Sequence, residues 1–113
     1  STADYKKTIC DLLELISSEE KQLEYESRVP SADVPSELVC QWFDDIYHPD
    51  SELFCQCFSP EQLDALRMFN DFYGKRTDYL PDPAEGLRAY HESAIWKEIM
   101  SEAKITLIVL TKA

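Results

Sequence analysis

The stretch that decides the fold runs from Asp33 to Pro49 and reads DVPSELVCQWFDDIYHP. If residues Leu38 to His48 form an α-helix, each residue adds about 100° of rotation, and apolar and polar side chains separate onto opposite halves of the cylinder. The apolar half carries Leu38, Val39, Trp42, Phe43, Ile46 and Tyr47. The polar half carries Glu37, Cys40, Gln41, Asp44, Asp45 and His48. This pattern predicts a helix that is half buried against a core and anchored by large aromatic side chains.

Local signals predict where this helix begins and ends. Pro35 suits a first helical turn because it has no N–H and a fixed φ. Ser36 offers a hydroxyl cap, and Glu37 is well placed against the positive end of the helix dipole. Pro49 biases His48 away from helical geometry, so the helix is expected to end there.

The first part of the chain also follows the helical period. Apolar residues recur at intervals of three and four from Asp4 to about Arg28, which predicts a long first helix. The period weakens at Ser17-Ser18-Glu19-Glu20, which also has the form of a capping box. One helix with a weak middle is favoured here over two separate helices.

Two later helices have clear starts. Ser59-Pro60-Glu61-Gln62 combines a serine cap, a proline at the first helical position and a glutamine at the third. The helix that follows is expected to run to about Gly74 or Thr77. A short helical turn is predicted near residues 84–90, and Ser93 is expected to cap a last helix.

These elements predict an all-α fold. At 113 residues the chain is expected to form one domain, residues 1–113, with four to five helices around the central amphipathic helix of residues 38–48. The chain has only 2 glycines, which argues against an all-β design with many tight turns.

The C-terminal end leaves three alternatives open. After Lys104 the chain reads ITLIVL from Ile105 to Leu110, so the amphipathic pattern fails. A helix end buried on every side would explain this, and so would a short terminal strand. A contact with a second copy through Ile105, Ile108 and Val109 is the third alternative, and it would make the protein a homo-oligomer.

The net charge of −11 is unevenly distributed. Residues 1–58 carry 13 acidic and 4 basic side chains, and residues 59–113 carry 9 acidic and 7 basic ones. Such a field repels nucleic acid and anionic membranes and attracts basic partners. Solubility is the plainer explanation of the same charge.

Cysteine usage and hydropathy bear on location. Cys10, Cys40, Cys55 and Cys57 are not accompanied by a leader-like segment, so the thiols are expected to be reduced and the protein cytoplasmic. No run approaches about 18 apolar residues, so no membrane span is predicted.

A possible reactive row lies on the polar side of the central helix. Cys40, Asp44 and His48 are four residues apart, so on one α-helix they would follow one edge. That arrangement separates Cys40 from His48 by about 12 Å of rise, too far for direct proton transfer. The usual paired cysteine spacing of a zinc site is also missing. A metal-dependent or thiol enzyme centred on Cys40, Asp44 and His48 is therefore only the alternative to the favoured function. No catalytic residue, metal or cofactor is predicted.

The favoured function is that of a non-enzymatic acidic protein that binds a basic protein. Small acidic domains that neutralise nucleases or other toxins, such as immunity or inhibitor proteins, share this composition. The residues predicted to contact the partner are Glu37, Gln41, Asp44, Asp45 and His48. Carboxylates on the outer half of a half-buried helix are suited to hold lysine and arginine side chains.

Overall fold

The computed structural model describes the backbone of residues 2–112 and the side chains of residues 4–112. Over that range the chain is helical and contains no strand, so the prediction of an all-α fold is confirmed. The α-helices are α1 (Thr2–Ser17), α2 (Glu19–Arg28), α3 (Val34–Cys40), α4 (Glu52–Cys55), α5 (Pro60–Arg76), α6 (Gly86–Glu92) and α7 (Ala94–Thr111). A π-helix (Gln41–Ile46) continues α3, and two 3₁₀ turns (Thr77–Tyr79 and Pro83–Glu85) precede α6. The described residues form seven α-helices, which is more than the four to five predicted.

The break between α1 and α2 corrects the prediction of one helix from Asp4 to Arg28. Ser18 adopts extended geometry, with φ −124° and ψ 114°, and its side chain caps α2 by accepting from the Lys21 N–H. The end of α1 is satisfied by the buried side chain of Gln22, whose Nε2 donates to the Leu15 and Ile16 carbonyls at 3.0 and 2.9 Å. The serine cap therefore prevails over the helical period at this point.

The central helix also differs from the prediction in its start and in its geometry. It begins at Val34, and Asp33 rather than Ser36 is the cap, since the Asp33 carboxylate accepts from the Ser36 N–H at 3.2 Å. It does not remain α-helical to His48, because residues Gln41–Ile46 form the π-helix. Asp33 precedes Ser36 in the sequence, and aspartate is as effective as serine at an N-cap, so the helix begins earlier than predicted.

The starts of the two later helices are confirmed. Ser59 and Gln62 form both bonds of a capping box at the start of α5, and that helix ends at Arg76, inside the predicted limits. Ser93 caps α7 by accepting from the Trp96 N–H. The predicted turn near residues 84–90 is a 3₁₀ turn followed by α6.

Aromatic rings join the elements of the core. α7 packs against both α1 and α5. A continuous series of ring contacts runs from Trp42 through Phe69 and Tyr73 to Trp96, with centroid distances of 4.8, 5.6 and 6.1 Å. All four rings are almost completely buried. Burial raises the pKa of the Tyr73 hydroxyl far above its usual range, and this hydroxyl has no hydrogen-bond partner among the residues that the structure describes.

A buried polar network joins α2 to α6 and α7. Because Gln22 Nε2 donates to two carbonyls, the orientation of its amide is fixed and Oε1 is the acceptor. Trp96 Nε1 donates to this oxygen at 3.2 Å, and His91 Nε2 donates to it at 2.8 Å. His91 Nδ1 lies 3.6 Å from Glu19 Oε1. The network provides a hydrogen-bond acceptor for the buried indole N–H of Trp96.

The C-terminal segment is a helix, so the strand alternative is wrong. α7 continues to Thr111, with Leu107 and Leu110 buried and Val109 half buried against the core. Ile105 and Ile108 are each 54% exposed, so the helix end is not buried on every side either. Among residues 2–112, none of the helices combines the length and apolar composition needed to cross a bilayer.

Candidate functional site

The π-helix is fixed to the core by Trp42. The indole is fully buried, and its Nε1 donates to Asn70 Oδ1 on α5 at 3.1 Å. The ring stacks on Tyr47, with centroids 4.9 Å apart and planes within 10°. The Tyr47 N–H donates to the carbonyl of Trp42, five residues back, which is the hydrogen bond that defines a π-helix. Because Trp42 is packed in the core, the opposite side of the π-helix is held facing solvent.

The structure places the predicted partner-binding residues on the outside of the α3–π segment. Glu37, Asp44, Asp45 and His48 are exposed, while Gln41 is half buried. The N–H of Gln41 donates to the carbonyls of Glu37 and Leu38, where α3 passes into the π-helix. The division into a packed face and a solvent face is therefore as the pattern predicts.

Two of these five residues line a groove with α1. Asp45 and His48 form one side of a cavity of about 430 Å³, together with Ile46. The other side is formed by the first turns of α1, which contribute Asp4, Tyr5 and Thr8. Tyr5 is 39% exposed and contacts the ring of Phe54 edge-on, with centroids 6.2 Å apart. The groove thus combines carboxylates, an imidazole and apolar surface, whereas Glu37, Gln41 and Asp44 lie outside it.

Among the residues that the structure describes, Glu37, Asp44 and Asp45 have no cation paired with them. Residues 33–52 contain six acidic side chains and no lysine or arginine. The result is a concentrated negative potential on one side of the molecule.

The arginines that could have paired with Asp45 are engaged elsewhere. Arg67 binds Asp64 at 2.6 Å and Asp71 at 3.6 Å. Arg76 binds Glu98 at 3.2 Å, and Arg88 binds Glu92 at 4.0 Å. Asp45 therefore forms no ion pair with any of these three arginines.

His48 closes the end of the π-helix. Its Nε2 lies 2.7 Å from the carbonyl oxygen of Asp45. Since a carbonyl can only accept, Nε2 carries the proton and the imidazole caps a terminal carbonyl. The ring also lies edge-on to Phe54, with centroids 6.5 Å apart. These contacts orient the imidazole at the rim of the groove, beside Asp45.

The predicted reactive row of Cys40, Asp44 and His48 is not formed along one α-helix. Cys40 ends α3, Asp44 lies in the π-helix and His48 lies beyond the last helical residue. The Cys55 and Cys57 thiols donate to different backbone carbonyls, those of Pro49 and Leu53. Within the described residues, no three His, Cys, Asp or Glu side chains are grouped in a way that could hold a metal ion.

Sequence reasoning missed the contribution of α1 to the groove. Tyr5 falls on the same apolar stripe as Ile9 and Leu12, which places it in the core by periodicity. In the structure Ile9 and Leu12 are buried but Tyr5 is partly exposed. Tyr5 lies near the start of α1, where apolar side chains can extend past the core, and this position was a signal that the ring is partly exposed.

No protein-family model, no curated protein and no solved structure matches this chain. The function is therefore inferred from the chemistry and geometry of the described residues.

Proposed function

We propose that the protein is a non-enzymatic binding protein of the cytoplasm that holds a basic protein partner on the acidic face of its α3–π segment. The observation that carries this proposal is that Glu37, Asp44 and Asp45 are exposed, have no ion-pair partner among the described residues, and lie in a region without lysine or arginine. Such a surface attracts a basic partner over a distance and speeds its association.

The groove supplies a specific subsite within this face. A lysine or arginine side chain has a long apolar stem and a charged head. Tyr5 and Ile46 offer apolar surface for the stem, and the Asp45 carboxylate lies on the same cavity for the head. An aromatic ring beside a carboxylate favours a guanidinium in particular, which can stack and form an ion pair at once.

The location of the aspartates on the helix also supports a role in binding. Asp44 and Asp45 lie near the C-terminal end of the α3–π segment, where the helix dipole disfavours negative charge. A π-helix is itself rare and is found frequently at functional sites. Residues that lower stability where they stand are commonly kept for function.

A pull-down from the native host at low and high salt tests the proposal. The test variant is Asp44→Asn with Asp45→Asn. The matched control is Glu20→Gln with Glu26→Gln, which removes the same charge from exposed positions on α2. A basic protein should be retained at low salt by the wild type and by the control, and it should be released by salt.

The double aspartate variant should lose this protein. Equal retention by the two double variants would contradict the proposed face, because net charge alone would then account for binding. Retention that does not depend on salt would contradict the electrostatic mechanism.

A further inference from the structure

A second cavity, of about 540 Å³, lies where the break between α1 and α2 faces α7. We call it the basic cavity, and the residues that line it are Ser17, Ser18, Lys97, Met100, Ser101 and Lys104. Four other cavities on the surface each have at least one carboxylate in their lining, whereas the basic cavity has none. In a chain with a net charge of −11, this cavity is suited to an anion.

The two lysines of the basic cavity form no ion pair within the described residues. Seven of the 11 lysine and arginine side chains are paired there with a carboxylate. The four without such a pair are Lys6, Lys75, Lys97 and Lys104. Two of these four lysines therefore line the same cavity.

The sequence of α7 explains why these lysines lack partners. A lysine on an α-helix pairs most readily with a carboxylate three or four residues away. At those distances Lys97 and Lys104 have only serine, alanine, methionine, leucine and isoleucine. Glu98 and Glu102 line the adjacent groove toward α5, which shares Lys97 and Ser101 with the basic cavity. The basic cavity therefore keeps its positive charge.

The spacing on α7 allows both lysines to reach one ligand. Lys97, Ser101 and Lys104 are four and three residues apart, so they share one face of the helix. The two lysines are separated by about 10 Å of helical rise, with Ser101 between them. Because each ammonium group stands on a flexible four-carbon stem, both can contact an anion that is held over Ser101.

Two serine hydroxyls of the cavity are available as donors. Ser18 Oγ accepts from the Lys21 N–H at 3.1 Å, so its own hydrogen is left to donate. The Ser101 hydroxyl is exposed and has no hydrogen-bond partner among the described residues, whereas the Ser17 hydroxyl already donates to the Glu14 carbonyl at 3.0 Å. The end of α1 and the start of α2 meet here, so their dipoles oppose each other and the side chains must supply the attraction.

We propose that the basic cavity binds the phosphate group of a small phosphorylated molecule. A phosphate monoester carries nearly two negative charges at neutral pH and three acceptor oxygens, which suit two ammonium groups and two hydroxyls. The phosphate lies over Ser101, between Lys97 and Lys104, and accepts from the hydroxyls of Ser18 and Ser101.

The remaining space of the cavity fits an organic group. A volume of about 540 Å³ is that of a small-molecule site and exceeds what a phosphate ion fills. The half-buried side chain of Met100 offers adaptable apolar surface beside the lysines. None of the residues of this cavity lies on the α3–π segment, so its ligand does not compete with a basic partner for the same side chains.

NMR titration of the ¹⁵N-labelled full chain with phenyl phosphate at low ionic strength tests the site. Binding should shift the amide signals of Ser18 and Ser101 in a saturable way. Lys97→Gln with Lys104→Gln should weaken binding by about tenfold or more, because it removes both charges that meet the phosphate. The matched control is Lys6→Gln with Lys75→Gln, which removes the same charge from lysines outside the cavity.

The two double variants distinguish a site from a general effect of charge. Equal weakening by both would overturn the proposal, because the net charge alone would then account for binding. The absence of a saturable shift in the wild type would also overturn it. Far-UV circular dichroism confirms that each variant is folded.

Titration with inorganic phosphate distinguishes a phosphorylated molecule from the free ion. Inorganic phosphate should shift the same signals but bind several-fold more weakly than phenyl phosphate, because it leaves the surface at Met100 uncovered. Equal affinity for the two would overturn the assignment of the ligand to an organic phosphate.

Discussion

The α3–π segment and the α5/α7 pair contribute to the same core but differ on their outer sides. Each places one tryptophan in the core, Trp42 and Trp96, and Tyr73 lies in ring contact with Phe43 of the first region and Trp96 of the second. On the outside, the α3–π segment presents carboxylates that have no ion-pair partner among the described residues, whereas α5 and α7 present paired charges and exposed apolar side chains. A single core can thus support two surfaces of different chemistry, one acidic and one close to neutral with exposed apolar side chains.

The largest expected effect concerns the two core anchors. Trp42→Ala and Trp96→Ala should each lower the free energy of unfolding by about 3–5 kcal/mol, because both indoles are almost completely buried. The chain has 2 tryptophans, so each variant keeps one fluorescent reporter in the other region. Urea denaturation followed by fluorescence measures both. If Trp96 reports an unchanged transition in Trp42→Ala, the two regions do not share one cooperative core.

Gln22 and Asn70, which accept from the indoles of Trp96 and Trp42, should contribute unequally to stability. Gln22 is fully buried, and its side chain bonds two carbonyls of α1 as well as Trp96 and His91. Asn70 is half buried, and water can replace it beside Trp42. Gln22→Ala should therefore cost about 3 kcal/mol of stability and Asn70→Ala about 1 kcal/mol, as measured by urea denaturation. Equal losses would mean that the network at Gln22 is not the stronger link.

The buried hydroxyl of Tyr73, whose ring contacts both regions, should not contribute to stability. Tyr73→Phe is expected to raise the free energy of unfolding by about 1 kcal/mol, since it removes a buried hydroxyl without a described partner. Tyr90→Phe is the control. The Tyr90 hydroxyl donates to the Pro81 carbonyl at 2.7 Å, so its removal should lower the free energy of unfolding. Thermal unfolding of both variants gives the comparison. A loss of stability in Tyr73→Phe would show that the hydroxyl has a partner in solution.

The smallest effect compares one carboxylate from each region. At low salt Asp45→Asn should raise the melting temperature slightly, because Asp45 has no ion-pair partner in residues 4–112 and lies at the unfavourable end of the helix dipole. Asp64→Asn should lower it slightly, because Asp64 binds Arg67 at 2.6 Å. Both differences should fade at high salt. Changes of the same sign would remove the electrostatic contrast between the two surfaces.

Parts of the site could be predicted from the sequence because they depend on local periodicity. Of the five residues predicted on the solvent side of the α3–π segment, Glu37, Asp44, Asp45 and His48 are exposed as expected, while Gln41 is half buried. The π-helix was not predicted, because the i to i+5 bond depends on how Trp42 and Tyr47 stack in the core. The groove was not predicted either, because Tyr5 and Asp45 are about forty residues apart in the chain and meet only when α1 packs beside the π-helix.

By itself the sequence determined the helical class, the helix starts at Ser59 and Ser93, and the acidic character of residues 33–52. These follow from capping, hydrophobic period and charge, which act over a few residues. Only the tertiary structure decided the break at Ser18, the partners of Gln22 and the two outer surfaces. Those depend on which helices become neighbours, and neighbours are chosen by the burial of the whole core rather than by any one segment.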